Sequence, residues 1–375
     1  MTPCVMKPFV SIGLAACLVA AAPWVQSAPN VFRDPLDTPA RASAGAARSM
    51  LLDAQCHAGG ACVALGRRGV VVRSDDGGTT WQQAEVPVAT DLLALSFADE
   101  RRGWAVGHAG VVLHTGDGGR HWTRQLDGRM LAAALVQWYT PAAQRGDEAA
   151  QRQLADAERF RDEGPGRPLL DVLFTDARHG IAVGAYNLAL RTEDGGRSWQ
   201  PFGEQLDNPM AMHLYALAHI DGTWWIAGEQ GLLLRQATPG GRFERVKTPY
   251  PGSFFGIVGR GRELVVFGLR GNALRSRDGG ATWVALHTGT QSTLTAGMLR
   301  PDGRLVLVAL NGELLDSADG GETFRRLVPS QPAPLYGVVD GGPRGVVLVG
   351  ARGVRISPLS PPATQANAAS STSNR

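Results

Sequence analysis

The sequence predicts an all-β protein, a seven-bladed β-propeller with a helical insertion between blades 2 and 3. Three observations predict this fold: a short Asp-Gly-Gly motif that recurs, a Gly-containing turn that occurs seven times, and the composition. Glycine supplies 48 of the 375 residues and charged residues only 19%, which favours tight turns over salt-bridged helices. A repeat of about 41 residues with four short apolar segments is typical of a propeller blade.

The recurring motif, here called the box, has the form Ser/Thr-x-Asp-Gly-Gly-x-x-Trp/Phe. The first two complete copies are 41 residues apart, and so are the last two. A gap of 84 residues before the fourth copy indicates a degenerate box at 235–243, and a gap of 77 after the second indicates an insertion of about 36 residues. The box aspartates are Asp76, Asp117, Asp194, Asp278 and Asp319.

Upstream of each box, two apolar runs flank a short turn. If the four strands of a blade are named A to D from the central channel outward, this turn joins strands B and C. Seven turns predict seven blades, although the last is followed by no recognisable strand D. We expect residues 31–36 to supply that strand and so to close the ring. The turns lie at 66–69, 107–110, 184–187, 228–231, 268–271, 309–312 and 350–353.

The box falls between strands C and D, which predicts a hairpin. Its Asp and Ser/Thr oxygens can accept hydrogen bonds from turn amides, and its paired glycines supply backbone angles that other residues resist. Copies spread around a ring cannot converge on one substrate, and the ligand spacing of a calcium-binding EF-hand is absent. We therefore expect the box aspartates to be structural, with no metal and no cofactor.

The N-terminal residues 1–27 resemble a secretory signal peptide. Lys7 is their only charge, an apolar run follows at 8–24, and small residues allow cleavage after Ser27. One alternative is an uncleaved membrane anchor, which needs about 20 apolar residues. Another is lipid attachment at Cys17. We expect an exported, periplasmic protein without a membrane span after cleavage.

Cleavage would leave two cysteines, Cys56 and Cys62, on either side of a short glycine turn. An oxidising compartment favours a disulfide between them, with free thiols or a metal site as alternatives. We place the propeller at 28–357, the helical insertion at 128–167, and a disordered, Pro- and Ser-rich tail at 358–375. A net charge of +3 gives no reason to expect nucleic-acid binding.

The pattern Gly-x-Ala-Val-Gly followed by Thr-x-Asp-Gly-Gly-x-x-Trp resembles the photosystem II stability and assembly factor family, whose Asp-box motif is also called the BNR repeat. The resemblance covers roughly residues 47–357. It implies a non-catalytic scaffold that binds a membrane-protein complex, or an exported protein segment, on the exported side. The family includes relatives from non-photosynthetic bacteria. The insertion and the degenerate box of blade 4 depart from the pattern.

In a propeller the B–C turns and D–A connections share one face, opposite the boxes. The turns carry four arginines, a positive set suited to carboxylates of a partner. Solvated hairpin tips are the alternative. We expect the insertion to form one or two helices over this face. The candidate partner-binding residues are Arg67, Arg68, His108, Tyr186, His213, Glu229, Gln230, Arg270, Asn311 and Arg352.

A sialidase-like glycoside hydrolase is the alternative function, because such enzymes also carry Asp boxes. Residues 32–35 faintly resemble their arginine motif, but Asp34 interrupts it, and a sialidase would have six blades. Glycoside hydrolysis requires two carboxyl groups beside the scissile bond. Asp171 and Glu229 are the best candidates for that pair. A sensor of a small ligand is a third possibility; we expect no enzyme.

Overall fold

The computed structural model describes residues 32–329 and 331–359, which form seven antiparallel sheets. Six sheets have four strands and one has three, and in every sheet the strands follow chain order. The seven-bladed propeller predicted from the repeat is thus confirmed. The predicted signal peptide, residues 1–27, and residues 360–375 of the predicted tail lie outside the described residues.

The strands of each blade run in the order A to D. Their bounds are, for blade 1, Leu51–Cys56, Cys62–Gly66, Val71–Ser74 and Gln82–Gln83; for blade 2, Leu92–Phe97, Gly103–Gly107, Val112–Thr115 and Thr123–Leu126; for blade 3, Leu169–Phe174, Gly180–Gly184, Ala189–Thr192 and Gln200–Pro201; for blade 4, Leu214–Ile220, Thr223–Gly228, Leu233–Gln236 and Glu244–Arg245; for blade 5, Phe254–Arg260, Glu263–Gly268, Ala273–Ser276 and Val284–Ala285; for blade 6, Leu294–Leu299, Leu305–Ala309, Leu314–Ser317 and Arg325–Leu327; for blade 7, Leu335–Asp340, Val346–Gly350 and Gly353–Ser357.

The predicted insertion is a pair of helices, α1 (Gly128–Gln144) and α2 (Glu148–Glu163), between blades 2 and 3. Each begins at an aspartate whose carboxylate accepts hydrogen bonds from the first free amides, Asp127 for α1 and Asp147 for α2. Their buried apolar residues join one core cluster with residues of blades 2 and 3, so the pair is anchored to the propeller by hydrophobic packing.

The box is held by the same hydrogen bonds in each complete copy. In blade 1, Ser74 Oγ donates to Asp76 Oδ1 at 2.7 Å and accepts from the Gly78 amide at 2.8 Å. Asp76 in turn accepts from the Thr80 amide at 2.9 Å. Bonds from the Thr80 amide and hydroxyl hold the pKa of Asp76 well below its usual range. The charged carboxylate therefore serves as the centre of a hairpin.

The aromatic residue of each box packs between its own blade and the preceding one. Trp122, for example, is buried among apolar side chains of blades 1 and 2. In the degenerate box of blade 4, Phe243 keeps this position, and Gln236 Nε2 closes the hairpin by donating to the Gly241 carbonyl at 2.8 Å. Blade 7 has no box, and Leu359 packs against the interface of blades 6 and 7 instead. The aromatics are Trp81, Trp122, Trp199, Phe243, Trp283 and Phe324.

Ring closure differs from the prediction that residues 31–36 form a fourth strand of blade 7. The described part of this segment instead forms a 3₁₀ turn, Pro35–Asp37, capped by the Asp34 side chain. Leu36 is buried beside Val86 and Val88, next to blade 1 rather than blade 7. The physical reason is local: Pro35 has no amide to donate to a strand, and Asp34 favours a turn. The prediction of a closing strand was wrong.

Side chains close the ring within the described residues. Val349 of blade 7 packs with Leu51 and Ala64 of blade 1 in one buried cluster. Across the same interface the Arg344 guanidinium donates to the Asp76 carbonyl at 2.6 Å and to the Thr79 hydroxyl. Blade 7 therefore meets blade 1 through a packed interface without a shared strand.

Two inner-strand carboxyl groups connect neighbouring blades around the channel. Asp53 accepts from the Leu95 amide of blade 2 at 2.9 Å, and Asp171 accepts from the Leu217 amide of blade 4 at 2.6 Å. Burial raises the pKa of each to about 7, and the charge of Asp53 adds to the effect on Asp171. These carboxyl groups therefore titrate near neutral pH.

The box aromatics should dominate stability. Trp122→Ala empties a site that is only 4% exposed, so we expect the free energy of unfolding to fall by about 3–5 kcal/mol. The matched control is Trp138→Ala on the outside of α1, where the side chain is 46% exposed and the loss should stay below about 1 kcal/mol. Urea denaturation measures both; equal losses would contradict the role of the box aromatic.

The inner carboxyls predict a pH dependence. Folding raises the pKa of Asp53 and Asp171 from 3.8 to about 7, so the folded state binds their protons more tightly than the unfolded state does. Their contribution to the free energy of unfolding is therefore fully present below about pH 4 and is lost as the pH rises to about 7. The double variant Asp53→Asn/Asp171→Asn lacks this contribution. Its loss of stability relative to wild type should be larger at pH 4.5 than at pH 7.5 in urea denaturation. A difference that is the same at both pH values would refute the prediction.

Candidate partner-binding face

The B–C turns and the D–A connections lie on one face of the propeller. In each blade the amide of the second turn residue donates a hydrogen bond to the carbonyl of the residue that precedes strand A. The His108 amide, for example, donates to the Asp91 carbonyl at 2.9 Å. The A–B loops bond instead to the boxes: the Gly118 amide donates to the Arg101 carbonyl at 2.9 Å. All the candidate residues therefore lie opposite the boxes.

Five of these turns place a non-glycine residue in the left-handed region, with φ between 51° and 57°. In three blades a side chain from the following blade accepts the hydrogen bond of that residue's amide. Asp91 accepts from Arg68 at 2.8 Å, and Ser253 from Gln230 at 3.3 Å. His213 does the same for Tyr186. Sequence reasoning missed Asp91 and Ser253, although both stand just before the first buried residue of a strand A.

The four arginines do not form one uniform patch. Arg67 pairs with Asp91 at 3.1 Å, and Arg352 donates to Gln331 at 2.8 Å. Arg68 and Arg270 are exposed, and neither side chain forms an ion pair within residues 32–329 and 331–359. The turns that carry the four belong to blades 1, 5 and 7. Three other candidates remain exposed turn residues, His108, Gln230 and Asn311.

Three candidates from blades 3 and 4 do come together. The Tyr186 ring stands edge-on to His213 with 4.7 Å between centroids, and the Tyr186 amide donates to His213 Nδ1 at 2.9 Å. The His213 amide donates to Glu229 Oε2 at 3.2 Å. Because Nδ1 accepts a hydrogen bond, the neutral ring carries its proton on Nε2. Tyr186, His213 and Glu229 thus form one connected unit.

A buried asparagine supports this unit from below. Asn208, only 4% exposed, donates to Asn187 Oδ1 at 2.8 Å and to the Met212 carbonyl at 2.9 Å. It also accepts from the Met212 amide at 3.1 Å. The connection at 207–213 is therefore fixed internally, while Met210 within it is 75% exposed.

A groove of about 970 Å³ opens beside the unit, between α2, the blade 3 turn and the connection at 203–211. Arg167 forms part of its wall, with its guanidinium 4.7 Å from the Phe160 ring centroid and 5.7 Å from that of Tyr186. Asp156 pairs with Arg167 at 2.5 Å and neutralises it. Arg242, exposed, also lines the groove. Charged and polar residues line the groove together with the rings of Phe160 and Tyr186.

Aromatic side chains continue from this groove toward the channel. His213 lies 6.1 Å from Tyr215, and Tyr215 lies 5.1 Å from Phe255 of blade 5, measured between ring centroids. We call Tyr186, His213, Tyr215 and Phe255 the aromatic row. Its last two members stand at the second position of strand A, where the pairing with strand B shifts register in each blade. The half-buried residues at that position are Leu52, Leu93, Leu170, Tyr215, Phe255, Thr295 and Tyr336.

The outer face of α1 is more apolar than that of α2, although it also exposes Arg129 and Gln137. Met130 is 50% and Trp138 46% exposed, and Ala133, Ala134 and Pro141 are exposed beside them. Across 32–329 and 331–359, no helix has the length and apolar character needed to cross a membrane.

The carboxyl groups considered for glycoside hydrolysis have other partners. Asp171 accepts from the Val172 and Leu217 amides, and Glu229 accepts from the His213 amide. Asp34 caps the turn described above. In the described part of the chain, no group of three or more His, Cys, Asp or Glu residues could hold a metal ion. A disulfide bond of 2.01 Å between Cys56 and Cys62 joins strands A and B of blade 1.

Comparison with known proteins gives a family match. Residues 45–134 and 165–327 match the family described as Photosynthesis system II assembly factor YCF48, leaving out 135–164, which falls within the two helices and their flank. The Photosystem II assembly lipoprotein Ycf48 of Synechococcus sp. (strain CC9902) is 31% identical over 119 residues. This match covers 31% of the chain and only 36% of that relative.

Two solved structures share the fold. YCF48 bound to a D1 peptide matches with a TM-score of 0.60 at 18% identity, covering 82% of this chain and 92% of the other. The GH74 xyloglucanase of Xanthomonas campestris matches with the same TM-score at 12% identity, covering 85% of this chain and 53% of the enzyme. At such low identity both likenesses show the propeller fold and carry no argument about activity.

The buried asparagine gives a test of the site's rigidity. Asn208→Ala leaves the Met212 amide and carbonyl without their partner, so we expect a loss of about 1–3 kcal/mol and faster hydrogen exchange at 207–213. Met210→Ala, a change at an exposed neighbour, should stay within about 0.5 kcal/mol. Urea denaturation and amide exchange measure the two effects. Unchanged exchange in Asn208→Ala would show that other contacts fix the connection.

Proposed function

Because the chain belongs to the photosystem II assembly factor YCF48 family, we propose that it is an exported, non-catalytic scaffold that binds an exposed segment of a membrane-protein complex and assists its assembly or stability. The family match carries this proposal. The partner would contact the face that bears the B–C turns, because the opposite face is taken up by the box hairpins and their hydrogen bonds.

Peptide binding in a relative supports a segment as the partner. The solved YCF48 with a D1 peptide is a propeller of the same fold that binds a peptide. On the present chain, the groove beside α2 and the aromatic row offer a surface for such a segment. Exposed Arg68 and Arg270 would attract carboxylates of the segment, which gives orientation more than affinity.

Export is part of the proposal. The signal-like residues 1–27 and the bonded sulfurs of Cys56 and Cys62 both support an oxidising compartment outside the cytosol. Lipid attachment at Cys17 is the variant of this proposal that the description of the Synechococcus relative as a lipoprotein favours. Either form would place the mature chain beside the exported parts of membrane proteins.

A pull-down from detergent-solubilised membranes of the source cells tests the function. Wild-type mature chain should recover a membrane protein. Changing Arg67, Arg68, Arg270 and Arg352 together to Ala should weaken binding by about thirtyfold and lower recovery accordingly, because four exposed contacts at roughly 0.5 kcal/mol each total about 2 kcal/mol. The charge-matched control changes four exposed arginines on the box face: Arg101, Arg178, Arg262 and Arg277.

The control should recover as much partner as wild type. Equal losses in both variants would show that net charge, and not the turn face, determines recovery. If wild type recovers no membrane protein above the background of the beads, the proposed function is wrong.

A further inference from the structure

We propose that the aromatic row is a docking surface for an extended partner segment with apolar side chains at its centre and acidic residues at its ends. The segment would run from the groove beside α2 to the mouth of the channel at blade 5. This inference rests on the proposed function and names the chemistry of the segment that the scaffold would bind.

The row is continuous across three blades. Successive ring centroids are 4.7, 6.1 and 5.1 Å apart from Tyr186 through His213 and Tyr215 to Phe255. The path is on the order of 15 Å, which corresponds to about five residues of extended chain. In an extended chain alternate side chains point to the same side, so two or three would contact the row.

Tyr186 adopts an unfavourable left-handed backbone conformation while its ring is exposed. A φ of 56° is unfavourable for a bulky residue by roughly 1–2 kcal/mol, yet the side chain is 58% exposed and fills no core site. The bond from its amide to His213 holds this conformation. The same backbone angle recurs in the turns of four other blades, so the turn sets it; Tyr186 differs in carrying an aromatic ring that is 58% exposed and stands edge-on to His213.

An extended segment fits this surface better than a second copy of the chain. A stable interface between folded proteins buries about 800 Å² on each partner, whereas the row is a single line of four rings on the order of 15 Å long. Aromatic rings that are partly exposed to solvent can contact both the alternating apolar side chains and the backbone amides of a linear segment.

Each end of the surface has an exposed arginine, although the groove as a whole is balanced in charge. Its lining includes Arg152, Arg159, Arg167 and Arg242 together with Asp156, Glu163, Glu204 and Asp207. Arg242 lines the groove and Arg270 belongs to the turn of blade 5, whose strand A contains Phe255. Both arginines are exposed, and within the described residues neither forms an ion pair. Carboxylates at the two ends of the segment would complement these charges, while its apolar centre lies on Tyr215.

The test begins with a phage-displayed library of random linear 12-residue peptides, selected on the full mature chain. Enriched peptides should carry aromatic or aliphatic residues at alternate positions with Asp or Glu on both sides. A synthetic copy of the strongest peptide then gives the Kd by fluorescence anisotropy. We expect Tyr215→Ala/Phe255→Ala to raise this Kd by about tenfold or more.

The repeat supplies a matched control. Tyr336→Ala changes the same strand position in blade 7, outside the row, and should change the Kd less than twofold. Tyr186→Asn guards against a folding defect, because asparagine tolerates the left-handed backbone while removing the exposed ring. This variant should raise the Kd for the peptide without lowering the melting temperature of the protein. No enrichment, or a Kd unaffected by the double variant and by Tyr186→Asn, overturns the proposal.

Two further measurements separate this inference from the proposed function. If wild type and Tyr215→Ala/Phe255→Ala recover the same membrane protein equally in the pull-down, the aromatic row is not the docking surface, while the proposed function stands. If row-dependent peptides are selected but no membrane protein is recovered, the row stands and the function fails. An oligomer in sedimentation that the double variant abolishes would assign the row to a second copy and overturn the proposal.

Discussion

The packing of one large apolar side chain between each pair of neighbouring blades is the interaction on which the structure depends. The box delivers that side chain with fixed geometry, because the Asp carboxylate and the Ser or Thr hydroxyl hold the hairpin from which it extends. Blade 4 shows which part is essential. It has lost the Asp, yet Phe243 is 1% exposed at the interface of blades 3 and 4. The hairpin chemistry can vary, whereas the filled interface is kept.

Because the box hairpins hold the blades together, the residues on the opposite face are not needed for packing between blades. The turns between strands B and C are fixed by backbone hydrogen bonds to the start of strand A and, in three blades, by a side chain of the next blade. Their outward side chains contribute little to the core, so their identity can differ from blade to blade. Blade 3 uses this freedom to place Tyr186 at the start of a row that continues on strand A of blades 4 and 5, and the helices of the insertion provide a wall beside Tyr186.

The repeat made the architecture predictable from sequence, because box spacing and turn number both report on a unit that must pack against copies of itself. The insertion was predictable because it broke a regular spacing. The aromatic row was not, since Tyr215 and Phe255 come together only through the register shift at the start of strand A and through the neighbouring positions of their blades. The closing strand was expected by analogy with ring closure in general, and the sequence around Pro35 favoured a turn instead.

Within the described residues no strand is shared between the last blade and the first, so their junction differs from the others in the ring. Every other pair of adjacent blades is joined covalently by the polypeptide, whereas blades 7 and 1 are joined by the Val349 cluster, the Arg344 bonds and the short segment Ala46–Arg48, against which Gly353 fits too closely for any side chain. The torus can open there without breaking a peptide bond. A circular permutant that linked the native termini across this junction would turn it into an ordinary blade junction, and the non-covalent junction would then lie wherever the new ends were cut.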